Sequence, residues 1–437
     1  MAVIDFQKWQ NDSGQGQSNN VFREDDELDE DLRDFGEEDD GGYIDDEIEE
    51  VPARAEDVPV VKDKKYYFQR GLRVLLLSGL LIGIVFLIIM QSRTRVYGSA
   101  SYRKVADIVA QEGTSYLPLG SNIVAYSRDG ASCMSNNGSQ IWNITYEMQE
   151  PIVAVSGRVI AIGDYNGSEI HIMNDSKTLG SVNTNMPIRG LAVSESGEVA
   201  AVLNDTDVTW VYLFDAEGNT IAYFKTTMGQ SGYPLGVAIS AGGEVVSVSH
   251  LTVGSATVNT SIAFYNFGPV GQNEPDNNVG GYNYDDEVFP YITYMDSDTC
   301  AAVSDKRLVF FNGDQIPKSG TNAMFDAEVE GVFSNEEYIV VLFPDTTGKE
   351  QYAMRVYNGS GMLVSTIPFS MDYTNIQLCS NRIVINNDQA CLIYNVDGTL
   401  KYSGSFKSPV RAVIPMETST NRLMVITDKA IEQMVLE

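Results

Sequence analysis

From Tyr97 onward, short apolar runs alternate with turns rich in Gly, Asn, Asp and Ser, and the runs recur in one order. An opening run appears as Ile152-Val153-Ala154-Val155-Ser156, Leu191-Ala192-Val193-Ser194, Val237-Ala238-Ile239-Ser240, Gly331-Val332-Phe333-Ser334 and Ile376-Gln377-Leu378-Cys379-Ser380. A second, more uniformly apolar run follows after a short turn: Val159 to Ile162, Val199 to Val202, Val245 to Val248, Ile339 to Leu342, Ile383 to Ile385. The third run ends in a tight polar turn closed by glycine, as in Cys133 to Gly138, Leu213 to Gly218, Val356 to Gly361 and Ile393 to Gly398. Glycine closes such turns because their left-handed backbone is nearly free of penalty only without a Cβ. A weaker fourth run then follows, as in Thr220 to Lys225 and Leu400 to Phe406.

Runs with a period near two, bounded by turn residues, read as strands. Four antiparallel strands repeated at roughly 35 to 50 residues are the pattern of propeller blades. The expected fold over residues 97–437 is therefore an all-β, eight-bladed β-propeller, with first strands near 115, 151, 188, 234, 289, 329, 374 and 410. Seven blades is the alternative, if the segment near 115 is not an independent first strand. The last repeat shows only three strands: Val410 to Pro415, Leu423 to Thr427 and Ile431 to Leu436. The stretch 101–109 is expected to supply the fourth, so that 101–109 and 410–437 close the ring together.

Upstream, Val74 to Met90 carries no charge. With Leu72, snorkelling Arg73 and Gln91, it reaches the roughly 20 helical residues that cross a hydrocarbon core. Residues 72–91 are read as one transmembrane helix, an uncleaved signal anchor, because secretory signals begin near a chain's start. Lys62, Lys64, Lys65, Arg70 and Arg73 precede it; Arg93, Arg95, Arg103 and Lys104 follow. Five against four favours a cytoplasmic N-terminus and an extracytoplasmic propeller. Residues 62–73 form a basic, aromatic juxtamembrane segment, with Tyr66, Tyr67 and Phe68 placed for the interfacial belt. Within the span, Gly79 and Gly83 are spaced as helix-association residues, which would allow a homodimer.

Residues 1–61 are expected to be a disordered tail. The first sixty hold 21 Asp and Glu against 4 Lys and Arg, too few apolar groups among too many like charges to offset ordering entropy. The tail reads either as a solvating extension or as a docking arm for a basic cytoplasmic protein, with Phe22, Leu28, Leu32, Phe35, Tyr43 and Ile44 as anchors. With a formal net charge of −31, the sign is wrong for phosphate contacts, so nucleic acid is not an expected partner.

Signals for chemistry are sparse. His171 and His250 each fall in or beside a strand and read as satisfied structural histidines. No phosphate-cradling loop, metal-spaced cluster or nucleophile elbow appears, so no catalytic residue, metal or cofactor is assigned. Asp164-Tyr165-Asn166-Gly167 and Asp215-Ala216-Glu217-Gly218 have calcium-like oxygen spacing without the closing bidentate Glu, and read as turns. Asn-containing sequons such as Asn143-Ile144-Thr145 are treated the same way. Cys133, Cys300, Cys379 and Cys391 all lie in expected strands. Cys379 and Cys391 fall on a first and a third strand of one blade, about two strand spacings apart and too far for a bridge. No structural disulfide is expected. The candidate binding loop is the long insertion Gly268 to Val288, where Tyr282 and Tyr284 stand beside Asp285, Asp286 and Glu287. Long irregular loops are either functional or merely solvated.

Tyr126-Ser127-Arg128-Asp129-Gly130, Ile141-Trp142-Asn143, and Ala263 to Gly268 with Val270-Gly271-Gln272-Asn273 resemble an uncharacterised family of single-pass, membrane-anchored propeller proteins from anaerobic Gram-positive bacteria. The resemblance covers the span and residues 97–437. It implies compartment and fold, and it implies no activity. Two functional classes remain. The first is a membrane-anchored binding or scaffold propeller that recognises an envelope component or protein while its tail meets a cytoplasmic partner. The alternative is a propeller enzyme, quinone-dependent dehydrogenase-like or a glycan-acting hydrolase. The first is preferred, because the repeated docking tryptophans of such dehydrogenases are absent: only Trp9, Trp142 and Trp210 exist.

Overall fold

The computed structural model describes residues 73–85 and 95–437, save 207, 228, 230, 255, 256, 417 and 418. The acidic tail, most of the juxtamembrane segment, Leu72 and the second half of the expected span lie outside the described residues. Residues 73–85 are helical with exposed apolar side chains, among them Leu77 and Ile82 at 65% and 67% exposure. No helix among the described residues is long and apolar enough to cross a membrane.

Residues 95–437 form eight four-stranded antiparallel sheets, each with strands in sequence order except the last. The seven continuous blades begin with β2 (Ser115–Leu119), β6 (Pro151–Ser156), β10 (Ile188–Val193), β14 (Tyr233–Ile239), β18 (Tyr291–Tyr294), β22 (Gly331–Ser334) and β26 (Asn375–Cys379). First strands of neighbouring blades touch one another, as β6 with β10, β10 with β14 and β14 with β18, which places them innermost in their blades. Because Ser115–Leu119 opens a complete sheet of its own, the ring has eight blades and not seven. The eighth contains β30 (Val410–Pro415), β31 (Arg422–Thr427) and β32 (Ala430–Leu436), and its outer strand is β1 (Ala100–Asp107) from the other end of the propeller. β1 runs antiparallel to β32, from Ala100 opposite Leu436 to Asp107 opposite Ala430.

The second strands show why the sequence is so uniformly apolar there. β7 (Val159–Asp164), β19 (Thr299–Val303) and β27 (Arg382–Asn386) are buried at every position, since each lies between two strands and under a blade on both faces. The core is accordingly eight separate slabs, one per seam. Between blades four and five, for example, Phe264 meets Phe311 edge-on, with centroids 5.1 Å apart, around buried Phe289. Each such aromatic contributes about 2–3 kcal/mol by burial. Eleven buried apolar residues fill the seam between blades seven and eight, but only six fill that between blades eight and one. A cavity of about 400 Å³ opens beside the latter, lined in part by Ile108, Val109, Tyr116 and Met134.

The turn glycines serve a tertiary purpose as well as a local one. Gly138, Gly218, Gly361 and Gly398 all have positive φ, between 78° and 95°. Each lies against the outer strand of the preceding blade: a Cβ on Gly138 would stand 2.7 Å from that of Ala106, and one on Gly361 would stand 2.8 Å from Thr321. A Cβ on Gly218 would overlap the Ser181 carbonyl oxygen. The turn therefore covers its neighbour's outer strand, which limits the exposed sheet edge.

One sequence expectation is corrected. The insertion after Gly268 is not a continuous loop. Two short 3-10 turns, Gly271–Asn273 and Pro275–Asn277, lead into β17 (Asn278–Asp285), the outer strand of blade four. Two adjacent glycines and two asparagines make this strand poor in the residues that normally mark one. Tyr282 and Tyr284 nevertheless keep a two-residue period, half-buried between exposed neighbours.

Candidate binding cavity at the channel mouth

The turns joining first to second strands form a ring at one end of the central channel. Seven of the eight blades contribute to a cavity of about 370 Å³ there. Its wall is partly apolar, with Leu117, Val155 and Leu378. Glu195, Asp296, Glu336 and Glu337 supply its charge, and no Lys, Arg or His lines it among the described residues. All four acids are exposed.

Several contacts hold the rim in place. The Glu195 backbone N–H donates to Ala241 O across the seam between blades three and four, at 3.2 Å. Asn335 Nδ2 donates to Ser380 O on blade seven at 2.8 Å. Asn335 Oδ1 accepts from the Glu337 and Tyr338 backbone N–H groups at 2.9 and 2.8 Å, fixing the turn that presents both glutamates. Below the rim, Tyr291 and Ser334 hydroxyls pair at 2.7 Å between blades five and six. A rim tied turn to turn loses little freedom on binding.

The electrostatics follow from the crowding of acids. Asp296 Oδ1 accepts from the Asp298 and Thr299 backbone N–H groups at 3.0 and 2.6 Å. The Asp298 carboxyl, hydrogen-bonded to Asp296 and repelled by it, titrates above the ordinary 3.8. Tyr294, also at the cavity, is pushed well above the usual phenol range by burial, and its hydroxyl has no hydrogen-bond partner. Among the described residues no group of three or more His, Cys, Asp and Glu is arranged to hold a metal ion.

The residues singled out in the sequence lie elsewhere. Tyr282 packs against Phe311 and Phe264; its hydroxyl donates to Pro317 O at 3.2 Å and accepts from Ser319 N–H at 3.0 Å, both on blade five. Tyr284 lies 4.6 Å from Phe289. Glu287 is 4% exposed and ion-pairs with Arg307, Asp286 pairs with exposed Lys306, and Asp285 faces solvent. Asp164 Oδ1 accepts from the Gln149 and Glu150 backbone N–H groups at 2.9 Å each, and Asp215 Oδ1 accepts from Asn219 at 2.7 Å, so both acids build turns. Nothing lies within 4 Å of where a Cβ would stand on Gly79 or Gly83. The rim acids were missed because single exposed acids look like ordinary turn residues. Their signal is positional: Glu195, Asp296, Glu336 and Glu337 all follow the opening run of their repeat.

His171, on β8 (Glu169–Asn174), stacks on Tyr146 at 5.3 Å, and burial lowers its pKa against the pull of Glu169. His250, on β15 (Val245–Val253), is 1% exposed and is pushed down to about 4 by burial. It thus stays neutral in the folded chain while an unfolded one takes up a proton near 6.5. Its stabilising contribution is present above 6.5 and is lost as pH falls towards 4, about 2 kcal/mol of it by pH 5. Chemical denaturation from pH 7.5 to 5 should show this loss, and His250→Asn should flatten it; an unchanged slope in the variant would assign the loss to other groups.

No curated protein matches the chain. Among solved structures, the propeller is similar to BamB from Moraxella catarrhalis, at 13% identity and a TM-score of 0.47 over 77% of this chain and 98% of that one. Apo AztD from Citrobacter koseri is similar at 12% and 0.46, over 70% and 90%. The computationally designed Ika8 protein is similar at 11% and 0.47, over 76% and 100%. At these values the likeness is one of fold. The model of a family of unknown function, DUF5711, matches residues 93–436, which take in the whole ring from β1 to β32, and the chain belongs to that family.

Proposed function

We propose that this chain is a membrane-anchored, extracytoplasmic binding propeller that takes a cationic segment of an envelope component or protein into its channel mouth. The observation that carries the reading is a pre-tied cavity lined by four carboxylates and no described cation. Apolar wall residues beside acids suit a Lys- or Arg-bearing peptide, whose stem packs while its head group reaches the rim. The anchor rests on the uncharged run Val74 to Met90 and on the flanking charges. The acidic tail, residues 1–61, is the arm for a basic cytoplasmic partner, so the protein acts as a scaffold across the membrane. A binding role needs no catalytic group, and none is assigned.

A lysine-rich peptide is the probe for the mouth. Neutralising the rim with E195Q, E336Q and E337Q together should weaken its binding roughly tenfold at 0.15 M salt, at about 0.5 kcal/mol per exposed charge. The difference should shrink at high salt. Equal affinities for the variant and the native chain would overturn the assignment of the site. Protease added to intact cells should degrade residues 97–437 and spare the tail, and clipping of the tail instead would reverse the topology.

A further inference from the structure

Of the four cysteines, only Cys379 lines the channel-mouth cavity. It ends β26, and it pairs across a two-residue turn with Arg382, the first residue of β27. Ser380, in that turn, adopts φ 47°, the left-handed backbone of a tight hairpin. Directly opposed residues of an antiparallel pair present their side chains on one face, about 5 Å apart. Arg382 is 4% exposed. Its Nη2 donates to Met416 O at 2.8 Å, its guanidinium hydrogen-bonds the Cys379 thiol, and its Nη1 has no partner. No carboxylate among the described residues forms an ion pair with it.

A guanidinium buried without a counter-charge is costly. The ionisable neighbours of the guanidinium are the Cys379 thiol and the Tyr97 phenol, and a thiol ordinarily loses its proton more readily than a phenol. Two independent features therefore meet at one point: a cysteine, 7% exposed, that lines a cavity, and a buried cation with an unused donor behind it. The other three thiols have neither. Cys133, Cys300 and Cys391 are at most 1% exposed, and burial pushes them up to about 11, 12 and 12. They are inert structural side chains.

We propose that Cys379 is a modification site of the channel mouth, a thiol that ionises against Arg382 and reacts with hydroperoxides and small electrophiles. With hydrogen peroxide, the thiolate sulfur attacks one oxygen. The S–O bond forms as the O–O bond breaks, and the second oxygen leaves as hydroxide. Sulfur is oxidised to the sulfenic acid and the peroxide is reduced. The sulfenate form keeps a negative oxygen that the free Nη1 of Arg382 can bond. Cys379 shares the cavity with the rim acids but is none of the carboxylates on which the proposed peptide binding rests, so its reactivity and the peptide affinity of the mouth are separate readouts.

The test uses the purified full chain. Limiting iodoacetamide, or hydrogen peroxide with dimedone to trap sulfenic acid, is followed by peptide mapping. Cys379 should be modified at least tenfold faster than any other cysteine, with a half-maximal rate below the ordinary thiol value of about 8.5. Arg382→Met should slow modification about tenfold, and Arg382→Lys should restore part of it. If Arg382→Met does not fold, the pH profile of the native chain decides alone. Modification of Cys379 no faster than that of the others, or a rate still rising through the ordinary thiol range, overturns the proposal.

Discussion

A chain that starts at residue 108 is expected not to form a cooperative propeller, whereas one that starts at residue 95 is expected to fold. The difference is β1. Its removal leaves blade eight with three strands and exposes the unpaired N–H and C=O groups of β32, from Ala430 to Leu436. Such an open edge templates aggregation. It also removes Tyr97, which is 8% exposed among Tyr402, Val410, Met434 and Leu436, and half-buried Tyr102 and Val105. The backbone closure goes too: Tyr97 N–H donates to Lys401 O at 2.8 Å, and the Glu437 N–H donates to Ser99 O at 2.9 Å. Burial alone accounts for roughly 4–5 kcal/mol, comparable with the whole stability of many domains. The seam between blades eight and one, with six buried apolar residues, has little to compensate with. Circular dichroism on heating and size-exclusion chromatography of the two chains decide the matter. A monomeric 108–437 chain with a sharp transition near that of the longer one would show that the ring closes without β1.

Glu287→Ala should destabilise the propeller by about 3–4 kcal/mol, which is roughly 5 °C or more in Tm. The Glu287 side chain is 5% exposed, and its carboxylate pairs with Arg307 and accepts from the Ser304 hydroxyl at 3.3 Å. Removing it leaves a partly buried guanidinium uncompensated, and that penalty exceeds whatever the intact pair contributes. Glu287→Gln keeps an acceptor for Arg307 and should cost less. Asp285→Ala, two residues away and exposed, should stay within about 0.5 kcal/mol of the native chain. This pattern separates a structural acid from a ligand-binding one, since a binding acid lost from an exposed loop leaves Tm unchanged. Equal Tm values for the Glu287→Ala and Asp285→Ala chains would return Glu287 to the list of binding candidates.

Legibility in the sequence followed the range of the interactions involved. The second strands were evident because burial on both faces demands unbroken apolar runs such as Val159 to Ile162. The turn glycines were evident because positive φ excludes most other residues. β17 was not, because Gly280, Gly281 and Asn283 suppress the strand signal while Tyr282 and Tyr284, held by Pro317 and Phe289, maintain it. The rim acids were hidden for a different reason. Glu195 and Glu336 belong to separate turns far apart in the chain, and only closure of the ring makes them neighbours on one cavity.

By itself the sequence determined the all-β class and the four-strand repeat, since period-two patterning and turn chemistry act over a few residues; the sheet opened by Ser115–Leu119 decided for eight blades over seven. Tertiary structure alone decided what the repeats build together. It set Tyr97 between blades seven and eight, gathered four carboxylates at one mouth, and left Cys379 beside a buried Arg382 that has an unused donor. The physical reason is that a propeller's first strands meet only through the closure of all eight blades, so what faces the axis depends on every seam at once.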